Sequence, residues 1–289
     1  MRLLPAAVLL LTASCASLDF ELEETRVLTK PLDGSGPVSL QVATDNGSIG
    51  VHEDPSVTGL EVRALVHVQA ATEELARARL ERVEVSIDRG AEGVAVEADW
   101  PGARRGNERV SLLVLVPALD GVRLRAGNGS LEVRGAAGPV VGETGNGRVL
   151  LEGCAGGARL TTGNGSIELV RTSGEVVGAT FNGPVQVVDH AGALDLESSN
   201  GSHEVSLAGG AAGALQLRTG NGSIELSVAA DWSGVVEAST GVGRVRFRGH
   251  EGTREKGETA ILAVGGGGER SVLRTGNGSI EVVVREKQP

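Results

Sequence analysis

Five stretches, VRLRAGNGSLEV (122–133), VVGETGNGRVLL (140–151), ARLTTGNGSIEL (158–169), VVGATFNGPVQV (176–187) and LDLESSNGSHEV (194–205), begin 18 residues apart and share one frame. Each is centred on an Asn-Gly pair, at Asn128, Asn146, Asn164, Asn182 and Asn200. Two more copies follow at Asn221 and Asn277, an earlier one sits at Asn46, and Gly241-Val242-Gly243 fills a slot between Asn221 and Asn277 with the Asn replaced. A fixed period of this size marks one supersecondary unit stacked many times.

The columns around the Asn are regular. Two residues before it stand Thr44, Ala126, Thr144, Thr162, Thr180, Ser198, Thr219, Thr240 and Thr275. Three after come Ile49, Leu131, Val149, Ile167, Val185, His203, Ile224, Val245 and Ile280, and the column five after is aliphatic apart from Phe247. This is period-two alternation on both sides of a corner, which means two short strands per unit with one face buried. Asn-Gly between alternating strands also fits a chain of antiparallel hairpins. A hairpin, however, needs Asn-Gly only locally and places no demand on what recurs in the next unit. Stacking does, because each side chain then touches its counterparts about 4.8 Å above and below, and a column of Asn becomes an amide ladder. The expected fold is therefore all-β: a parallel β-helix or β-solenoid of 18–21 residue coils, with Asn128, Asn146, Asn164, Asn182, Asn200, Asn221 and Asn277 as a structural corner ladder. One coil buries four or five aliphatic residues worth roughly 1.5–3 kcal/mol each. Ordering its backbone costs about 1–2 kcal/mol per residue, so only the stack is stable.

Composition agrees. The chain has 289 residues, 40% of them hydrophobic, yet no Tyr, so its core must be built from Val, Leu, Ile and Ala. Forty-four glycines imply many tight corners. A net charge of −10 opposes a sequence-independent grip on nucleic acid, so no nucleic-acid partner is expected.

The chain opens like an export signal, with Arg2 ahead of an apolar run Leu3–Leu11 and small residues before Cys15. Small residues preceding a Cys resemble the bacterial lipobox. That resemblance implies acylation of Cys15, loss of residues 1–14 and a membrane partner through the lipid, since several acyl chains anchor stably. Ala16 and Ser17 lack the Asp that, by resemblance to enterobacterial sorting, favours inner-membrane retention, so the outer membrane is expected. With Cys15 lipidated, Cys154 is left without a disulfide partner and reads as a small residue packed near a corner. No later stretch is long and apolar enough to span a bilayer as a helix.

Between Asn46 and Asn128 the period lapses for 82 residues. Ala71 to Val83 reads as an amphipathic helix with Thr72 as N-cap and Glu73 and Glu74 in the first turn. Strand patterns flank it at 59–69, 82–88, 93–98 and 110–116, so this section is expected to cover one open end of the stack. Gly249 to Glu269 reads as loop growth within one late unit. The organisation expected is a signal at 1–14, a lipidated tether at 15–36, a strand-rich section at 37–121 and the repeats at 122–286.

The run Val110–Pro117 followed by Val122–Val133 and its repeats resembles the bacterial "putative adhesin" β-strand-repeat family of envelope proteins, themselves similar to autotransporter adhesin heads. The resemblance covers roughly residues 38–285. It implies a right-handed parallel β-helix-like fold, presentation at the cell envelope and no catalytic residues to carry over.

Candidate chemistry is sparse. Four residues past each Asn lies an outward column with Glu132, Leu150, Glu168, Gln186, Glu204, Glu225, Arg246 and Glu281. The glutamates Glu132, Glu168, Glu204, Glu225 and Glu281 form a candidate interaction stripe for an envelope protein or surface polymer, against the alternative of a merely solvated face. Asp189, Asp195 and His190 are the nearest approach to an acid/base cluster. His52, His67, His203 and His250 lack metal-ligand spacing, and neither metal nor cofactor is expected. His203 interrupts an aliphatic column, which reads as a half-buried defect. The function expected is a non-catalytic, lipid-anchored scaffold or adhesin-like interaction module. The alternatives are an extracytoplasmic carbohydrate-active β-helix enzyme and an accessory protein in envelope sensing.

Overall fold

The computed structural model describes residues 10–12, 20–32, 36–90, 93–100, 108–249 and 252–285, with the backbone alone for 10–12 and 252–256. Cys15 lies outside the described residues, as does most of the expected signal. Among the described residues the fold is all-β with one short helix, its strands gathered into two large sheets of 14 and 12 strands. Among the described residues no helix is long and apolar enough to cross a membrane.

Every repeat contributes one strand to each sheet, joined through the Asn-Gly corner, and we name each such rung by the number of its corner residue. Rung 164, for instance, consists of Ala158–Asn164 in the 12-stranded sheet and Ile167–Val170 in the 14-stranded sheet. Neighbouring rungs pair in parallel with like opposite like: Asn146 with Asn164, Thr144 with Thr162, Val149 with Ile167 and Leu151 with Leu169. The antiparallel hairpin chain is thereby excluded for the repeats. Inward residues of both sheets form one continuous core, in which Leu124, Leu160, Leu196, Ile167 and Leu169 are almost wholly buried. The column four before the Asn alternates in size, with Gly142 and Gly178 between those leucines. A Cβ at Gly178 would lie 2.9 Å from Leu196 Cδ2, so the glycine makes room for its neighbours' side chains.

The spatial order of rungs departs from chain order at both ends. It runs 46, 128, 146, 164, 182, 200, 221, 277, 242. The last copy, Arg270–Asn277 and Ile280–Val284, slides in between rung 221 and rung 242, so Val242 lies beyond Asn277 rather than before it. The physical reason is visible at the corner, where Val in mid-stack would cut an amide ladder that its displacement to the end leaves whole.

At the other end rung 46 is also internal. Beyond it pair Gly93–Asp99 in one sheet and Arg109–Val116 in the other. Antiparallel strands finish that end, Glu84–Gly90 on Gly93–Asp99 and Leu60–Ala70 on Arg109–Val116. The stretch read as a tether instead contains the strand Phe20–Lys30, paired along its whole length with Leu60–Ala70, and Leu10–Thr12 pairs with it in turn. Its inward Leu22 is fully buried, which no free tether would achieve. The helix spans Glu73–Leu80, shorter than 71–83, with Thr72 as N-cap, its Oγ1 accepting from Leu75 N. It buries Ala76 and Leu80 against the strands Phe20–Lys30 and Leu60–Ala70, where the larger sheet runs on past the smaller. Arg26 donates to the carbonyls of Leu80 and Val83 at its C-terminal end.

The expected loop 249–269 is in large part sheet. Gly252–Lys256 pairs antiparallel with Val245–Gly249, and Thr259–Val264 with Gly234–Val242, so this excursion caps both sheets at the C-terminal end.

Candidate functional site

Three places carry polar chemistry: the corner, the outward glutamate stripe and the short turns that end each rung.

At the corner the ladder is real and has one polarity. Asn146 Nδ2 donates to Asn128 Oδ1 at 2.6 Å, and the pattern repeats through Asn164, Asn182, Asn200, Asn221 and Asn277 at 2.7–2.9 Å. Asn46 donates instead to the Glu108 carbonyl. The glycine after the Asn is obligatory for two reasons. Gly147 has φ +151, and a Cβ there would lie 2.3 Å from the Gly129 carbonyl oxygen. The threonine column has a role the alternation pattern hid: Thr144, Thr162 and Thr180 donate at 2.9–3.0 Å to the carbonyls of Gly129, Gly147 and Gly165, each in the rung below. The signal was present in the sequence, since Thr holds a buried position where Val would otherwise serve.

Rung 200 breaks this pattern twice in one place. Ser198 replaces Thr and His203 replaces the aliphatic residue, and the two meet, His203 Nε2 lying 3.0 Å from Ser198 Oγ. Ser198 in turn donates toward the Gly201 carbonyl and shares a bond with Thr219. His203 is 1% exposed, so it is a fully buried polar insertion and not the half-buried defect expected. Burial pulls its pKa down to about 4, and among the described residues Nδ1 has no hydrogen-bond partner.

The stripe lies on one outer face in the register Glu132, Leu150, Glu168, Gln186, Glu204, Glu225, Glu281, Arg246. Insertion of the last copy makes Glu204, Glu225 and Glu281 consecutive neighbours, an adjacency that chain order concealed. Cations already hold part of the stripe. Glu132 meets Arg134 at 2.7 Å and His52 at 3.1 Å, Glu168 meets Arg148 at 3.3 Å, and Glu281 meets Arg248 at 2.8 Å. Glu204 and Glu225 have no ion pair among the described residues. No cluster of His, Cys, Asp and Glu among those residues has metal-binding geometry. Where the stripe reaches rung 46 the glutamate becomes Gly50, and an open depression of about 340 Å³ forms there, bordered by Leu65, Leu113, Arg63 and Glu132. The signal for it is that single glycine in an otherwise bulky column.

The turns dispose of the acid/base cluster. Asp189 sits in the left-handed region at φ +55, in the column where Gly135 and Gly153 also take positive φ, so it is a corner residue. His190 points inward, fully buried, with Nδ1 2.9 Å from Thr172 Oγ1 and its pKa lowered by burial. Asp195 lies on the outer face of the other sheet, 2.9 Å from Arg218. The three side chains therefore do not converge. Cys154 occupies the same buried turn column as Thr172 and His190, and burial raises its thiol pKa.

No family model matches the chain. No curated protein matches it either. Solved structures do. A putative adhesin from Bacteroides fragilis is 11% identical over 89% of this chain and 97% of its own, with a TM-score of 0.45. A putative adhesin from Parabacteroides distasonis is 12% identical over 89% and 97%, with a TM-score of 0.33. A protein from the same organism named a putative lipid binding protein is 10% identical over 89% and 96%, also at 0.33. The adhesin name is the one that the sequence resemblance carries.

Proposed function

We propose that the chain is a lipid-anchored protein of the bacterial cell envelope whose repeats are the coils of a β-solenoid, and that it serves as a non-catalytic scaffold or adhesin-like interaction module. One observation carries this reading. The Asn and Thr that recur in most repeats are used between rungs: Asn side chain to Asn side chain, Thr hydroxyl to corner carbonyl. Recurrent chemistry consumed in this way builds a rigid stack, and these Asn and Thr groups are not free to act on a substrate. The enzyme alternative loses its support with the dispersal of Asp189, His190 and Asp195. Contact with an envelope protein or surface polymer would fall on the outward stripe, where Glu204 and Glu225 have no ion pair among the described residues.

Two measurements test the reading. Metabolic labelling with a fatty-acid analogue should mark the wild type and fail to mark Cys15→Ala, which should leave the membrane fraction; label retained on the variant rejects the anchor. Reversal of Glu168, Glu204 and Glu225 to Lys should abolish capture of a partner from envelope extracts while leaving the melting curve in place. Unchanged capture removes the stripe from the proposal.

A further inference from the structure

We propose that the C-terminal end of the stack is a homodimer interface, in which the edge strand Thr259–Val264 of one copy pairs antiparallel with the same strand of a second copy, Ile261 facing Ile261 across the two-fold axis. The inference stands apart from the scaffold reading and needs neither the lipid nor the stripe.

Three observations lead to it. The first is chemical. Thr259–Val264 is the last strand of the 12-stranded sheet, and its sequence TAILAV holds no charge. The opposite edge of that sheet, Glu84–Gly90, carries Glu84, Asp88 and Arg89. The C-terminal edge of the larger sheet, Gly252–Lys256, carries Arg254, Glu255 and Lys256. Charges on edge strands block sheet extension, and this edge lacks that protection along six residues, where the fourth edge, Leu10–Thr12, is likewise uncharged but only three residues long. In a chain of net charge −10, two copies approach most readily through such a neutral edge.

The second is the direction of the backbone groups. Thr240 N donates to Glu258 O at 2.8 Å, and this pair lies on the register that matches Ser239 with Thr259 and Glu237 with Ile261. Hydrogen-bonded and non-hydrogen-bonded pairs alternate along an antiparallel ladder. Ala260, Leu262 and Val264 therefore bond inward to Gly234–Val242, while the N–H and C=O groups of Thr259, Ile261 and Ala263 point off the sheet.

The third is self-complementarity. Placing Ile261 opposite its own copy sets Thr259 opposite Ala263 and Ala260 opposite Leu262. Every outward-pointing donor then meets an outward-pointing acceptor, and each side chain stays on the same face as its partner. Ile261, 65% exposed in the single chain, finds apolar cover at the axis. Because the contact is isologous it closes at two copies and does not propagate into filaments.

The test uses the full chain with Cys15→Ala, so that the buried Cys154 is the sole native thiol. Sedimentation over a concentration series should show monomer passing to dimer. Ile261→Lys sets two like charges opposite each other and should weaken association more than about tenfold. Ala263→Pro removes an N–H that points away from Gly234–Val242, so it should weaken the dimer while the melting temperature holds. Introduced thiols fix the register. Ile261→Cys should crosslink to itself on oxidation, since paired Cα atoms about 5.5 Å apart suit a disulfide. Thr259→Cys should not crosslink to itself, yet should join Ala263→Cys when the two are mixed. A wild type that stays monomeric at every concentration overturns the proposal, whether or not the edge accepts a foreign strand peptide. So does a dimer that survives Ile261→Lys, or one that crosslinks through Thr259 pairs.

Discussion

The middle of the stack and its two ends obey different rules. From rung 128 to rung 200 chain order and spatial order coincide, and each residue meets its own counterpart 18 positions away. At the ends they part. Rung 46 and rung 277, the first and last copies in the sequence, both lie inside the stack, and segments that resemble the repeat less well lie outside them. Like-with-like contact selects the interior, because an Asn, a Thr and a corner Gly are satisfied only between two similar neighbours. Strands lacking that set, such as Arg109–Val116 or rung 242 with its Val, are tolerated where the outer neighbour is an antiparallel strand and not another repeat.

The sharpest way to break the interior is through its corner. Gly147→Ala would place a Cβ 2.3 Å from the Gly129 carbonyl at φ +151, a clash of backbone with backbone that no side-chain movement relieves. We expect it to cost more than about 4 kcal/mol in urea melts, or to prevent folding. Gly257→Ala near the C-terminal edge meets nothing within 4 Å and should stay within about 0.5 kcal/mol of wild type. Equal losses at the two sites would deny the distinction between interior and end.

The buried histidine tests how far the interior tolerates a foreign side chain. His203 ordinarily titrates at 6.5 and in the fold at about 4, because burial penalises the cation. A depressed histidine pKa means that the neutral form is the one the fold prefers. Its contribution is therefore intact above pH 6.5, falls away as pH drops from 6.5 toward 4, and levels off below. The shift corresponds to about 3 kcal/mol of acid sensitivity. Ser198→Thr combined with His203→Ile restores the column residues and should remove this share of the acid loss, leaving what His190, also depressed by burial, contributes. A double variant that melts on acidification as the wild type does would assign the sensitivity elsewhere.

Smaller still is the effect of one rung of the ladder. Asn164→Ala removes bonds to both Asn146 and Asn182, each worth about 0.5–1.5 kcal/mol at this exposed corner. A loss of about 2 kcal/mol is expected, against roughly half that for Asn46→Ala, which severs one side-chain bond, to Glu108, among the described residues. Equal melting shifts for the two would show that the ladder adds nothing beyond local corner geometry.

What could be read in advance follows the same division. Parallel stacking, the buried columns and the amide ladder were legible because periodicity in sequence is contact in space for residues such as Leu160 and Asn164. The helix and the strands around it were legible from local pattern. The insertion of rung 277 was not, since it depends on which of two arrangements leaves the Asn column unbroken, a comparison between rungs rather than a property of either. For the same reason the run Glu204, Glu225, Glu281 was hidden. Phe20–Lys30, expected within the tether, has in FELEETRVLTK an alternation that fits a strand with one solvated face. His203 and Ser198 were each visible as exceptions, but their meeting required the rung geometry.

If the order of the ends is set by the ladder, extending the ladder should be favourable. Val242 stands in register above Asn277, is 68% exposed, and precedes Gly243 at φ +151, close to the conformation of Gly147, Gly222 and Gly278 at their corners. Asn277 uses its Nδ2 on Asn221, and no hydrogen bond to its Oδ1 is found among the described residues, so an amide arriving from above would meet an acceptor of the right polarity. Val242→Asn should therefore stabilise the chain by about 1 kcal/mol, read as a small rise in the urea midpoint with an unchanged slope. In an Asn277→Val background the same substitution should gain nothing, because the acceptor is gone. An equal gain in both backgrounds would mean that the benefit comes from removing an exposed valine, and that the Asn column does not decide which rung goes last.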